Sequence, residues 1–262
     1  MHHMNMTHFF ILEITVLFIA VSALILYPAA MYYSNKKHSL WKKRRYFLFA
    51  IGVIIAASAL TGPLARLSHT DFTVHMLGHL LLGMLGPLLL LLGKPMTLIM
   101  RSLKVSHARK LSKILNMKYV KFISNPVIAA ILNIGGLFLI YKTGLFELMH
   151  TSIILFALVH LHVFLAGYLF TMSIINIDIV THRYSFLYRA AVLVAALGFH
   201  KILSKLIYAL PPEGIARSDG ERGAMLMYYG GDIVDLALIF ILCLEWYKAA
   251  GRSYSRETDL IR

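Results

Sequence analysis

The sequence contains a single cysteine and few charged side chains. Cys243 is the one cysteine among the 262 residues, which excludes an intrachain disulfide framework and a cysteine-rich zinc site. Charged residues make up 15% of the chain and hydrophobic residues 59%, whereas soluble domains carry about 25% charged residues. The composition therefore excludes a soluble globular protein and a disordered chain, and it predicts a membrane protein.

Seven long apolar runs are separated by shorter polar segments. Each run is long enough to cross a hydrocarbon core of about 30 Å at about 1.5 Å per residue, and none alternates in polarity as barrel strands do. We predict an all-α polytopic membrane protein with one seven-helix domain over residues 1–262. Its parts are an external tail at 1–8 and spans at about 9–33, 47–67, 72–92, 124–142, 149–173, 186–208 and 223–247.

The basic residues indicate an orientation. Of the 26 Lys and Arg residues, 20 lie in the segments that would share one side of the membrane, including 34–46 and 94–121. Because Lys and Arg are retained in cytoplasmic loops, we predict that the N-terminus is outside and the C-terminus in the cytoplasm. The first span lacks basic residues before it and has a basic cluster after it, so we expect a retained helix rather than a signal peptide.

Net charge has a topological meaning in such a protein. The formal charge of +14 therefore does not predict nucleic-acid binding. A basic segment at 104–122 places Leu111, Ile114 and Leu115 on one face, which predicts a cytoplasmic interfacial helix that lies on anionic lipid headgroups. Membrane lipid is thus the first predicted partner.

Ionisable side chains within the spans are concentrated in the predicted outer halves. Each such side chain costs about 2.5–3.5 kcal/mol on insertion scales, so a partner or a function is expected. His75 and His79 are one helical turn apart, and His160, His200 and Asp232 fall at similar depths on other spans. Four imidazoles and a carboxylate at one level predict a metal site, with Asp232 as a ligand or as an orienting acceptor. We expect no comparable group in the cytoplasmic halves.

Thioether side chains accompany these imidazoles. Imidazole combined with thioether favours copper, above all Cu(I), and zinc is the alternative. The N-terminal tail also contains residues that bind copper in either oxidation state. The weaker candidate ligands are Met76, Met84, Met227, His3, Met4 and Met6.

Two charged pairs on the last two spans have a structural interpretation. Lys201 and Lys205 are four residues apart, and Asp232 and Asp235 are three apart. Interhelical ion pairs would let all four enter the bundle. We expect Asp235 to pair with a lysine and Asp232 to serve the metal site.

The third span carries the most specific motif of the chain. Its residues His75-Met76-Leu77-Gly78-His79 lead through Gly83-Met84 to Pro87 and on to Gly93-Lys94-Pro95 and Arg101. This motif resembles the CtaG family, the assembly factors of caa-type cytochrome c oxidase. The likeness covers roughly residues 60–247 and continues through Asn125-Pro126-Val127, His160, Ala166-Gly167, Phe199-His200 and Gly231-Asp232.

The resemblance implies a seven-span plasma-membrane protein of a prokaryote that is required to make active haem–copper oxidase, plausibly by supplying copper. Its histidines carry over to His75, His79, His160 and His200, and its acidic residue to Asp232. Members of the family often have a second histidine four residues before the one that matches His160, and this chain has Phe156 there. The number of ligands is therefore not fixed by the resemblance.

Three function classes remain open from the sequence. The favoured one is a non-enzymatic copper-handling factor whose partners are membrane lipid and a copper-containing oxidase subunit or an external copper carrier. An intramembrane zinc hydrolase would use three histidines and an aspartate around a water molecule. A haem-binding electron carrier would use His79, His160 or His200 as axial ligands.

Overall fold

The computed structural model describes residues 6–180 and 182–260. Within these ranges the regular structure is helical, and no strand occurs. Two π-helical turns, Leu81–Leu85 and Ile131–Gly135, connect α4 to α5 and α9 to α10. The α-helices are α1 Met6–Lys37, α2 Lys43–Ser58, α3 Gly62–Leu67, α4 Phe72–Leu80, α5 Gly86–Leu92, α6 Pro95–Ser102, α7 Val105–Leu115, α8 Lys118–Ile123, α9 Pro126–Ala130, α10 Gly136–Lys142, α11 Leu145–Thr151, α12 Ile153–Ile174, α13 Phe186–Ala209 and α14 Arg217–Leu260.

Six helical segments in the described part of the chain are long and apolar enough to cross a membrane. A seventh span is present if Pro126–Lys142 and α11 count as one, bent by 78°. The predicted all-α, multi-span class is thereby confirmed. The six unbent spans in the described part of the chain are Phe9–Lys37, Lys43–Leu67, Phe72–Leu92, Ile153–Ile174, Phe186–Ala209 and Arg217–Gly251.

Several helices continue beyond the predicted spans, although the first candidate span begins at Phe9 as predicted. The first helix begins at Met6 and so includes residues assigned to the tail 1–8. The last helix extends beyond both limits of the predicted span 223–247. The apolar run fixes the length that must be shielded from water, whereas the backbone hydrogen bonds of a helix persist in water as well.

The predicted span 149–173 begins too early. Residues Leu145–Thr151 form the separate helix α11, and the span itself begins at Ile153. Ser152 has an extended conformation, which ends α11. It also caps α12, since its hydroxyl accepts a hydrogen bond from the Leu155 amide at 3.5 Å. An N-cap serine of this kind starts a new helix inside an otherwise apolar stretch.

The predicted interfacial helix 104–122 is two helices, α7 and α8. The break falls at Asn116 and Met117, where the Asn116 side chain donates to the Ser112 carbonyl at 2.9 Å and Met117 takes an extended conformation. An asparagine side chain that bonds its own backbone competes with helix continuation. The amphipathic character predicted for this segment lies mainly in α7, which has no buried residue.

The third span occupies the centre of the bundle. Helix α4 packs against α14, α5 against α2, and the π-helical turn between them against α12. A Cβ added to Gly167 of α12 would lie 1.9 Å from the carbonyl oxygen of Gly83, so the two backbones touch there and only glycine fits. The histidines of the third span are therefore surrounded by other spans.

The alternation of the spans creates two ends. The connecting segments 59–71, 143–152 and 210–216 lie at one end, which we call the histidine end. The connecting segments 38–42, 93–125, 175–180 and 182–185 lie at the opposite end, which we call the basic end. The structure contains no membrane, so the orientation of these ends remains a prediction.

The half of the bundle near the basic end contains a buried ion pair. Arg189 of α13 is 6% exposed and donates to the Glu245 carboxylate of α14 at 3.0 Å and to the Ile174 carbonyl. The prediction that this half has no comparable group was therefore wrong. Arginine tolerates this position because a carboxylate and a carbonyl replace its lost hydration.

Candidate metal centre

The start of α4 is fixed to α14 before the first histidine of the third span. The Asp219 carboxylate of α14 accepts hydrogen bonds from the Phe72 amide at 2.8 Å and from the Thr73 hydroxyl at 2.8 Å. Asp71 caps the same helix by accepting from the Val74 amide at 3.0 Å. Because both ends of this contact lie on structured helices, the position of His75, one turn further, is well defined.

Four imidazoles from four segments meet around His75. The ring centroids of His75 lie 6.3 Å from both His150 and His160, and His69 lies 5.8 Å from His150. The Nε2 atom of His75 is 3.1 Å from the Tyr141 hydroxyl. We call His69, His75, His150 and His160 the histidine cluster.

Sequence reasoning found only half of this cluster. His75 and His160 were predicted, whereas His69 and His150 were missed. His69 lies in the turn after α3, and His150 lies in α11, which the prediction did not separate from the span that follows. A signal was present in the spacing: His69 precedes His75 by six residues and His150 precedes His160 by ten. Both missed residues therefore lie at the same end of the bundle as their predicted neighbours.

Phe156 shows why the histidine expected from the resemblance is not needed to hold His160. Its ring lies against His160 with centroids 4.0 Å apart, and against His69 at 5.2 Å. The Phe156 carbonyl lies 2.8 Å from Nδ1 of His160. When Nδ1 donates this hydrogen bond, the neutral ring keeps its lone pair on Nε2. The hydrogen bond therefore leaves Nε2 of His160 as the nitrogen available to a ligand.

Two further imidazoles lie deeper in the bundle. His79 is 7% exposed and His200 is 3% exposed, and the Nε2 atom of each is buried without a hydrogen-bond partner. Both line a small cavity together with Met84, Asn133 and Asp235. We call this the inner cavity.

His79 also lines a second cavity, together with His75, His160 and Tyr141. It is thus the one of the predicted histidines that borders both spaces. The π-helical turn Leu81–Leu85 follows directly after it, and such turns are frequent at functional sites. The arrangement connects the histidine cluster to the inner cavity through a single side chain.

Asp232 and Asp235 of α14 have the opposite environments from those predicted. Lys201 forms an ion pair with Asp232, whose side chain is 44% exposed. Asp235 is 5% exposed and lines the inner cavity. The predicted pairing of Asp235 with a lysine was therefore wrong.

The positions of the two residues around the axis of α14 explain why Asp235, and not Asp232, faces the inner cavity. A Cβ on Gly231 would lie 2.8 Å from Cε1 of His200, so this residue marks the face of α14 that meets α13. Asp235 is four residues further and shares that face, whereas Asp232 is rotated from it by about 100°. Of the predicted site residues, His75, His79, His160 and His200 are brought together around the two cavities, and Asp232 is not.

The predicted methionines separate into two groups. Met84 lines the inner cavity. Met76 and Met227 are fully buried in an apolar cluster with Phe72 and Leu203, and this packing accounts for them without a ligand. His3 and Met4 lie outside the described residues, and Met6 begins α1.

The chemistry of the donor atoms is compatible with a metal ion. Across residues 6–180 and 182–260, no three His, Cys, Asp or Glu side chains are already arranged around a common point for a metal. Three buried imidazole nitrogens nevertheless lack any partner: Nε2 of His69, His79 and His200. Each such nitrogen costs about 1–3 kcal/mol, and a metal ion or an ordered water molecule would relieve that cost.

The protonation of the cluster favours ligation where it can be assigned. His69 lies in the turn between two spans, and burial lowers the pKa of its imidazole, with the nearby His150 lowering it further. An imidazole with a lowered pKa is neutral at pH 7 and has a lone pair available. His69 therefore needs no proton release to bind a metal ion.

The fold and these cavities define a class: an all-helical polytopic membrane protein with buried imidazoles grouped toward one end. The model of the family described as cytochrome c oxidase caa3 assembly factor (Caa3_CtaG) matches residues 25–249. The chain belongs to this family, as the third-span motif predicted. The zinc hydrolase and electron-carrier alternatives have no support from this match.

Curated relatives occur in mycobacteria. An uncharacterized protein of Mycobacterium leprae is 27% identical over 91% of this chain and 40% of its own length. Uncharacterized proteins of Mycobacterium bovis and Mycobacterium tuberculosis are each 28% identical over 88% of this chain and 38% of theirs. The chain thus spans about two fifths of the length of these relatives. No solved structure matches.

Proposed function

We propose that this protein is a non-enzymatic factor that binds copper and makes it available for the assembly of haem–copper cytochrome c oxidase in a bacterial plasma membrane. The family supports the assembly role. The observation that carries the copper proposal is the set of three buried imidazole nitrogens without a partner, at His69, His79 and His200. Buried imidazole nitrogens without a hydrogen-bond partner are expected where a bound ligand supplies the missing contact.

Copper fits these atoms better than zinc does. The inner cavity combines imidazole and thioether, through His79, His200 and Met84, and the carboxylate of Asp235 also lines it. Thioether is a soft ligand that selects Cu(I), whereas structural and catalytic zinc sites use three or four N, S⁻ or O ligands. We therefore assign Met84 and Asp235 to the proposed site together with the predicted histidines.

The proposed route begins at the histidine cluster. His75 and His160 would receive the ion, with His69 and His150 at the entrance, and His79 would pass it to His200. The 20 basic residues at the other side of the protein support an orientation with the histidine end outside. In that orientation copper arrives from an external carrier and leaves toward a copper-containing oxidase subunit.

Metal retention by variants of the full-length protein tests this proposal. The protein is equilibrated with equal amounts of copper and zinc under reducing conditions, desalted and analysed for both elements. We expect copper to be retained, and His79→Ala to lose most of it. His75→Ala should lose copper too, and the double variant should add little to His79→Ala, because residues that act on one ion are not additive.

A matched control is available on the same helix as His160. His162 is exposed, and its Nε2 contacts the Leu132 carbonyl at 3.1 Å. His162→Ala should therefore leave copper retention unchanged. Stoichiometric zinc without copper, or full copper retention in the His75/His79 double variant, contradicts the proposal.

A further inference from the structure

A third cavity, with a charged lining, lies at the basic end, opposite the histidine cluster. It has a volume of about 440 Å³ between the end of α1, helix α6 and helix α7. Its polar lining is basic: Lys37, His38, Arg101 and Arg109. Its remaining lining is mostly apolar, with Met100, Leu103, Val105 and Ala108. The cavity therefore offers cations and apolar surface to the same ligand.

Arg101 is held in place by a buried scaffold. Its Nη2 donates to the Ser39 carbonyl at 2.6 Å, and its guanidinium lies 5.0 Å from the centre of the Trp41 ring. Trp41 is 4% exposed, and its indole N–H donates to the Tyr27 hydroxyl at 3.0 Å. Because a guanidinium has five N–H donors, Arg101 retains donors for a ligand.

Among the described residues, no Asp or Glu lines this cavity. The segments 34–46 and 94–121 carry 14 Lys and Arg residues and no Asp or Glu. Among the ion pairs found in the described residues, none involves Lys37, Arg101 or Arg109. Like charges without a counter-ion repel one another, so an anion from outside would stabilise their approach.

The position of the cavity indicates the source of that anion. Val105, which lines the cavity, is 68% exposed, and it begins a helix that lies where the spans end. Helix α7 has basic and apolar faces and no buried residue, as expected for a helix at the lipid headgroups. A soluble anion would satisfy the cations and leave this apolar surface uncovered, whereas an anionic phospholipid would cover both.

We propose that this cavity is a binding site for one anionic phospholipid, with its phosphate between Arg101 and Arg109 next to Lys37, and with an acyl chain along Met100, Leu103 and Val105. This site is independent of copper binding. It also differs from a diffuse attraction to the membrane, because it requires the cations that line the cavity rather than the total basic charge of the loops.

Native mass spectrometry of the full-length protein in detergent tests the site. Phosphatidylglycerol and phosphatidylcholine are titrated against wild type and Arg101→Gln/Arg109→Gln. Each cation near anionic lipid contributes about fivefold in affinity, so we expect about 25-fold weaker retention of one phosphatidylglycerol molecule in this variant. Phosphatidylcholine should bind weakly to both proteins.

The control variant is Lys118→Gln/Lys121→Gln, which removes the same charge from α8 outside the cavity. It should retain the tight phosphatidylglycerol molecule. Because Arg101→Gln also removes the hydrogen bond to Ser39, Lys37→Gln/Arg109→Gln serves as a second variant that spares the scaffold. We expect it to lose the tight lipid as well.

Three outcomes overturn the proposal. Equal loss in the control and the cavity variants shows diffuse attraction. Equal retention of both lipids shows that the headgroup charge is not recognised. Displacement of the lipid by millimolar inorganic phosphate shows a site for a soluble anion.

Discussion

Replacing His200 by leucine provides a sharp test, because the structure predicts opposite effects with and without copper. The Nε2 atom of His200 is buried and has no partner, which costs about 1–3 kcal/mol in the metal-free protein. Leucine has a similar volume and no polar atom. We therefore expect His200→Leu to raise the free energy of unfolding of the metal-free protein by about 1–3 kcal/mol.

Copper should reverse the order of stability. One ion that binds only the folded protein stabilises it by about 4.1 kcal/mol at a free concentration of about 1,000 times its Kd, which exceeds the advantage of His200→Leu. Wild type should gain this amount, and His200→Leu should lose most of the gain because the inner cavity retains only one imidazole. Thermal unfolding of both proteins in nanodiscs, with and without Cu(I), measures the crossover.

The same assay can refute the reasoning. A metal-free His200→Leu protein that is less stable than wild type would show that the Nε2 atom has a partner. An unchanged copper-induced stabilisation would show that His200 is not a ligand. His162→Leu is the control, and neither its metal-free stability nor its response to copper should follow the pattern of His200→Leu.

The remaining predictions concern the histidine cluster and the last helix. His160→Ala should lower copper affinity at least tenfold in a competition titration with a Cu(I) chelator. The pKa of His69 is lower in the folded protein than in the unfolded chain. As the pH falls below about 6.5, the His69 imidazole is therefore protonated more in the unfolded chain, and the free energy of unfolding should decrease. His69→Gln should reduce this decrease in melting curves recorded from pH 7.5 to 5. Asp235→Asn should weaken copper binding in the same titration, whereas Asp232→Asn should leave it within twofold and lower only the melting temperature.

The number and type of spans could be predicted from the sequence because the bilayer sets a length requirement that an apolar run reveals directly. The break before α12 could not be predicted in this way. Residues 148–151 adjoin the apolar run with no charged residue between them, and the helix boundary depends on a single serine cap at Ser152. A hydrophobic pattern contains no information about such a local hydrogen bond.

The expected environments of Asp232 and Asp235 were wrong because the rotation of α14 about its axis decides them. Asp232 and Asp235 lie three residues apart, about 60° around the helix axis, and either could face the bundle. Their roles depend on which residue shares a face with Gly231, the point of contact with His200. The pairing of Arg189 with Glu245 was hidden for a related reason, since 56 residues separate partners that only packing brings together.

The Cu K-edge X-ray absorption spectrum of the copper-loaded full-length protein tests the central claim most directly. The account predicts copper bound by imidazole nitrogens together with a sulfur scatterer from Met84, and loss of both signals in His79→Leu/His200→Leu. A spectrum with unchanged nitrogen scattering in that double variant would contradict the assignment of copper to the inner cavity.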